Sequence, residues 1–500
     1  MNRAEKRRQQ KLAEKAAKKA KRPPSSSSPF PERPAGIIDQ SLSLALQHLI
    51  GGRSAQAERL YTKILEAEPK QPVALHFLGV IARQRGNNFL SVDLISKALA
   101  IDPDYAEAHN NLGTAFKHLG RLAEAVASHD KAISINPDNA SAHFNHGNVF
   151  YQLGRLNEAV TSYHKALAIK PEYVEAHCNL GITLQNQENY DLAAASYQKA
   201  LAIKPDFAKA HYNLGTLLQH RGQFNDAIAR YDLSGLEISR IKSLECLYAL
   251  EMYDEFYLSI DKLIKAGTKS PYVAAISAFA SQQLNRADSY PFCKNPMDFV
   301  RMYEKPVGLD DDDGFLRRLG DELKSRAIDW EPTGKTTHNG FQSPSNLFIN
   351  PMGLLAELET IIKENIENYR SEFSSESFDF IKFMPRKLAL EGWAVRFLQG
   401  GHQTGHIHPG GWLSGVFYLQ VPKICDQDEG SIEFGLWGYN YPILDNNFPR
   451  KRYYPKNGNL VLFPSSLFHR TIPFHSDEER TCVAFDLMPA KFAMADFANV

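Results

Sequence analysis

Cysteine is scarce in this chain and never paired. Cys178, Cys246, Cys293, Cys425 and Cys482 are scattered through 500 residues with no C-x-x-C spacing. That excludes a zinc ribbon and a disulfide scaffold, and reads as reduced thiols in a reducing compartment. Net charge is missing too: Lys+Arg and Asp+Glu both number 57, which removes the electrostatic case for nucleic acid or an anionic membrane. No run approaches the roughly 18–20 apolar residues of a membrane span, and no signal-like apolar stretch follows the N-terminus. The expectation is a cytoplasmic protein with neither nucleic acid nor membrane as partner. What it has is apolar content, 43%, enough for two or three domains with sizeable cores.

The first twenty-two residues carry ten Lys/Arg against Glu5 and Glu14, and a Pro/Ser-rich segment follows. Residues 1–37 are expected to be a basic disordered tail and linker, with no function assigned.

From residue 38 the chain repeats. Pro69, Pro103, Pro137, Pro171 and Pro205 fall 34 apart, as do Gly79, Gly113, Gly147, Gly181 and Gly215. Small residues hold a fixed phase between them: Ala57, Ala125, Ala159, Ala193 and Ala227, with Ser91 in the one missing place, then Ala98, Ala132, Ala166 and Ala200. Small residues let antiparallel helices approach closely, and a proline closes the second helix of each unit. The stretch 38–235 resembles the tetratricopeptide repeat family, in about six units. Such units bury their faces only against neighbours, so the resemblance implies an α-solenoid, a right-handed superhelix whose concave face takes a protein or peptide partner.

Two polar columns share the period: His109, His143, His177 and His211, and Asn111, Asn145, Asn179 and Asn213. Packed helices lie roughly 8–10 Å apart and metal–nitrogen bonds are near 2 Å, so no ion bridges the histidines. They read as large residues filling the first helix of each unit. An asparagine amide can donate to and accept from a peptide backbone. The "NNLG", "CNLG" and "YNLG" stretches resemble those in the repeats of protein O-GlcNAc transferases, where such asparagines hold extended peptide. The alternative is that each asparagine bonds only its neighbouring helix.

Residues 236–309 keep a helical pattern, with Leu244, Leu247, Leu250, Phe256 and Ile260 spaced for one buried face, and are expected to be a helical cap or connector. Asp310 to Asp313 precede a helical run from Phe315; acids there suit the helix dipole, and the calcium-loop spacing is absent. From about 387 the period turns to two. Short strands separated by Gly, Pro, Asn and Asp predict an antiparallel jelly roll, a double-stranded β-helix with flanking helices, over 310–500. The fold class is therefore multidomain α + β.

Within that region Gly405-His406-Ile407-His408-Pro409 is answered by His469, just beyond the apolar run 460–463, and by Arg480 at the start of a further strand. Residues two apart on a strand face the same way, so His406 and His408 aim at one point, where His469 supplies a third imidazole. With "WLSG", "FPSSLFH" and "ERTCVAFD", the region resembles the 2-oxoglutarate/Fe(II)-dependent oxygenases. The resemblance implies His406 and His469 as iron ligands, Arg480 as the partner of the distal carboxylate of 2-oxoglutarate, and hydroxylation of a substrate recruited by the repeats. It assigns no catalytic group beyond the metal centre. Arg396, one strand earlier, is a candidate second anion contact.

His408 departs from the usual non-haem iron triad, two histidines and a carboxylate, which places the acid there. Either His408 ligates, giving three imidazoles, or it stands aside for another group. Two further readings stay open: an interaction scaffold with a vestigial barrel, and a three-histidine cupin-like metalloenzyme that does not use 2-oxoglutarate.

Overall fold

The computed structural model describes residues 35–309, 313–326, 329–332, 336–344, 346–423, 428–439 and 441–489. The basic tail, Asp310–Asp312 and Cys425 lie outside these residues. The chain divides into two compact units at Leu217/Leu218.

Helices come in pairs: α1 (Ala35–Ile50) with α2 (Ser54–Ala67), α3 (Pro72–Gln84) with α4 (Asn88–Ile101), α5 (Ala106–His118) with α6 (Leu122–Ile135), α7 (Ala140–Gln152) with α8 (Leu156–Ile169), and α9 (Val174–Asn186) with α10 (Tyr190–Ile203). Then come α11 (Ala208–His220), which holds the division between units, and α12 (Phe224–Ser234). The alanine columns explain the pairing, since every alanine named above is fully buried. The glycine column explains the close approach. A Cβ on Gly147 would lie 2.7 Å from the Tyr163 ring and one on Gly181 2.5 Å from Tyr197, too close for any other residue.

The histidine column has a structural task. In His109, His143, His177 and His211, Nε2 meets the carbonyl of Pro103, Pro137, Pro171 and Pro205 at 2.8–2.9 Å. The imidazole thereby ties the interhelical turn to the helix that follows it.

The second unit continues with α13 (Glu237–Ala249), α14 (Tyr253–Lys265) and α15 (Pro271–Gln283), then α16 (Asp313–Lys324), α17 (Leu354–Glu372) and α18 (Asp379–Lys382). Its strands are β1 (Arg301–Tyr303), β2 (Asp329–Trp330), β3 (Thr337–Gln342), β4 (Ala389–Gln403), β5 (Leu413–Gln420), β6 (Ile432–Gly435), β7 (Arg450–Tyr453), β8 (Leu460–Pro464), β9 (Phe468–Thr471) and β10 (Arg480–Met488). Pairing is antiparallel, in a seven-stranded sheet ordered β1-β8-β5-β10-β4-β3-β2 and a three-stranded sheet ordered β7-β6-β9. Val395, Phe397, Val416 and Tyr418 of the larger sheet share a core with Ile432 and Phe434 of the smaller, so the two sheets pack face to face.

The expected connector does more than connect. Leu244, Tyr248, Phe256 and Phe279 belong to the same continuous core as Leu358, Leu413 and Phe485 of the sheet region. A polar knot fastens the join: the buried Glu245 carboxylate accepts from Gln219 (2.5 Å), Lys242 (3.0 Å), Tyr441 (3.2 Å) and Tyr272. Gln283 clamps the backbone of Leu444 and Asp445, holding the 436–449 segment on α15.

Candidate metal centre

The site forms where the two sheets come together. His406 lies just after β4 and pairs with His469 on β9 as an isolated antiparallel bridge, each backbone N–H donating to the other's carbonyl at 3.0–3.1 Å. His408 is fixed by its backbone N–H on the Ser465 carbonyl, 3.0 Å away. The two histidines of the H-x-H segment after β4 and one of β9 thus bring three rings together, with centroids 4.3 Å apart for His406–His469, 4.9 Å for His408–His469 and 5.1 Å for His406–His408. A ligand atom of each lies within 4.8 Å of the others.

Their outward nitrogens are already occupied. Nδ1 of His406 meets the Thr404 carbonyl at 2.7 Å, Nδ1 of His469 the Leu467 carbonyl at 3.1 Å, and Nδ1 of His408 the Asp486 carboxylate at 2.6 Å. Each acceptor keeps the proton on Nδ1 and turns a bare Nε2 to the centre, the tautomer that ligates metal. Burial, reinforced by the neighbouring His408, lowers His406 to about 3, and burial with both other imidazoles holds His469 well below the ordinary value. Rings kept neutral at physiological pH are rings able to ligate.

Arg480 opens β10 and points into a small cavity walled by Trp393, Phe397, Tyr418, Thr471, Cys482 and His469. It is 1% exposed. Nη2 donates to the Tyr418 hydroxyl at 3.3 Å, the guanidinium sits over the Tyr418 and Phe397 rings, and Nε and Nη1 have no hydrogen-bond partner among the described residues. A buried cation with no acid beside it among the described residues costs several kcal/mol, which suits this cavity to an anion. Burial pushes the Cys482 thiol up to about 11, which keeps it protonated beside that cation.

These observations meet a family match. Residues 391–486 match a family described as "Putative 2OG-Fe(II) oxygenase", and models of the tetratricopeptide repeat match successive stretches between 42 and 229. The chain joins tetratricopeptide repeats to a 2OG-Fe(II) oxygenase-family domain. No curated protein matches it. Among solved structures it is similar to MamA, at 26% identity over 33% of this chain and 97% of that one, TM-score 0.30. It is also similar to a thermophilic TPR protein of Thermus thermophilus, at 25% identity over 36% and 99%, TM-score 0.33. A third is YrrB, titled a TPR protein with an unusual peptide-binding site, at 20% identity over 35% and 90%, TM-score 0.30.

The oxygenase-family domain does not bring Arg396 to this cavity. Arg396 stands opposite Thr481 on β4, one residue out of phase with the cavity-lining Trp393 and Phe397. Its guanidinium stacks on Phe341 at 4.4 Å, with Nε 3.9 Å from Glu479. Trp412 is buried packing, its Nε1–H donating to the Phe380 carbonyl at 2.7 Å. His402 stays apart from the three rings, stacked on His338. Sequence reasoning passed over Asp486, Ser414 and Trp393. The alternation that aims Arg480 also aims Cys482, Ala484 and then Asp486, so period two alone was the signal.

In the repeats, the asparagine amides reach backward. Nδ2 of Asn111 donates to His76 Nε2 at 2.8 Å, of Asn145 to Asn110 at 3.0 Å, of Asn179 to Asn148 at 2.8 Å, and of Asn213 to Cys178 Sγ at 3.7 Å. Every one is half-buried and bridges to the preceding unit.

Proposed function

We propose that this chain is a 2-oxoglutarate- and Fe(II)-dependent hydroxylase whose repeat array recruits a protein or peptide substrate. The observation that carries the reading is the pairing of three convergent imidazoles with a buried Arg480 that has no acid beside it among the described residues and faces the same cavity. Neutral nitrogens suit a divalent iron, and a planar guanidinium suits a carboxylate held by two parallel hydrogen bonds. His406, His408 and His469 would hold the metal. Arg480 would hold the distal carboxylate of 2-oxoglutarate, with the Tyr418 hydroxyl steadying one arm of its fork.

Bound together, these groups supply oxidation by dioxygen, in which one oxygen atom enters a substrate C–H bond and the other enters succinate as carbon dioxide leaves. The chain's own part is to orient and to exclude water. The backbone carbonyls of Thr404 and Leu467 fix two imidazole tautomers, while Trp393, Phe397 and Ile432 close the cavity with apolar surface. Substrate would be held along the inner helices of the array. There Asn111, Asn145, Asn179 and Asn213 are candidate peptide contacts, each pre-oriented by the bond it donates to the preceding unit. Tethering raises the local substrate concentration at the oxygenase domain.

The test is succinate release from 2-oxoglutarate by the full chain, with and without added Fe(II). Iron-dependent succinate supports the reading. Iron bound without succinate returns the scaffold or the three-histidine metalloenzyme. Arg480→Lys should weaken 2-oxoglutarate binding roughly tenfold or more, the scale of one lost charge-assisted bond, with metal occupancy unchanged.

A further inference from the structure

The usual metal-binding face of non-haem Fe(II) oxygenases balances its ion with one carboxylate, and His408 occupies the place where that carboxylate would stand. We infer that Asp486 is the displaced carboxylate, a positioning residue that delivers its charge through the His408 ring. The inference rests on the metal reading proposed above.

Asp486 and His408 are only 11% and 12% exposed, and Oδ1 of the acid accepts from His408 Nδ1–H at 2.6 Å. The same oxygen accepts from the Ser414 hydroxyl at 2.6 Å, and Ser414 is 2.8 Å from the buried Ser465 hydroxyl. Ser465 in turn supplies the carbonyl that fixes the His408 backbone, so one serine serves both ends of the ring's support. Gly411 leaves the room: a Cβ there would come within 2.9 Å of the Asp486 carboxyl carbon and 2.8 Å of Ser465 Oγ. The carboxylate, two serines and a glycine form a fitted cradle around one imidazole.

The three rings are not equivalent. His406 and His469 lean on neutral backbone carbonyls, and His408 alone leans on a carboxylate. Three neutral imidazoles around a divalent ion leave a formal charge of about +2; Asp486 returns it to about +1, the balance of a two-histidine, one-carboxylate face. A carboxylate on the far nitrogen also raises the basicity of the near one and fixes its direction.

The experiment is anaerobic Co(II) and Fe(II) binding by the full chain, comparing the unchanged protein with Asp486→Asn, His406→Ala and His469→Ala. Asp486→Asn keeps the shape and an acceptor oxygen but removes the charge. It should weaken metal affinity roughly 10–100-fold and raise the midpoint potential of the bound iron, a shift that a merely structural contact would not produce. Affinity within twofold of the unchanged protein, with the same potential, overturns the inference. Should the variant fail to fold, nitrogen NMR of the unchanged, Zn(II)-loaded protein with labelled histidine decides instead. A proton on Nδ1 of His408 with the metal on Nε2 supports the inference, and the reverse assignment overturns it. If His406→Ala and His469→Ala keep their metal, the metal reading itself falls and this inference with it. If they lose it while Asp486→Asn does not, only the role of Asp486 falls.

Discussion

The repeat array and the oxygenase-family domain both use histidine, and they use it in opposite ways. In the array, His109, His143, His177 and His211 each serve the turn that leads into their own unit, and translation by one repeat places every ring a helix-packing distance from the next. In the sheet domain, pairing of His406 with His469 folds three rings onto one point. A repeated residue type becomes a site only where the chain turns back on itself. Periodicity disperses equivalent groups; antiparallel return concentrates them.

The sharpest way to break this contrast is metal binding. His406→Ala or His469→Ala should abolish stoichiometric Fe(II) binding by the full chain, whereas His143→Ala, His177→Ala and His402→Ala should leave it intact. Retained iron in both ligand variants, measured by anaerobic titration, would erase the distinction.

The asparagine column sharpens the array's side. Replacing Asn111, Asn145, Asn179 and Asn213 together by alanine removes four bridges to preceding units. At roughly 0.5–1.5 kcal/mol each and incomplete additivity, the loss should be about 2–4 kcal/mol, read in urea unfolding. Peptide capture measured on the still-folded variant reports the proposed contact separately: unchanged capture ends the peptide-binding role.

A third measurement concerns pH. Burial lowers His76 and His129 to about 3 each, with Arg83 adding to the effect on His76 and His146 and Lys117 on His129. The unfolded chain takes these protons first, near pH 6.5. Stability is therefore complete above 6.5 and falls with pH from there toward 3. Acidification from pH 7 to 5 should cost about 2 kcal/mol per ring. Replacing His129 with tyrosine, the residue at 163 and 197, should remove its share of the slope; an unaltered slope would refute the assignment.

Ser91 gives the smallest effect. It stands in the alanine column, fully buried, with its hydroxyl unpartnered among the described residues. Ser91→Ala should stabilise the array by about 1 kcal/mol, visible as a raised melting temperature, because an unpaired buried hydroxyl costs more than the methyl group that replaces it.

The array was legible because each unit repeats the same steric solution, so one glycine against one bulky side chain, Ile95, His129, Tyr163 or Tyr197, announces the next. The meeting of three imidazoles was legible from the two-residue spacing of the H-x-H pair and the strand-borne His469, and the direction of Arg480 from alternation along β10. Arg396 was not, because β4 is covered on both faces and its sequence does not say which face meets the cavity. Asp486 escaped for a related reason: it lies three alternations beyond Arg480, and only the fold shows that the far end of β10 passes behind the H-x-H turn. The partnership of α13–α15 with the sheets carries no period at all, since it joins unlike surfaces once.

That partnership bears on how the oxygenase-family domain is to be cut from the chain. The 436–449 segment held by Glu245 and Gln283 also carries Tyr439, whose hydroxyl accepts from the Ile407 backbone N–H at 3.3 Å, between the two histidines of the H-x-H turn. Trp437 lies against Gly405, at the entrance to the same turn. An expression fragment begun at 310, or at the family-match boundary of 391, would remove the helices that steady this segment and expose aromatic core to solvent. A fragment begun at 218 retains both. The smallest piece of this protein worth assaying for metal is longer than the piece that its motifs mark out.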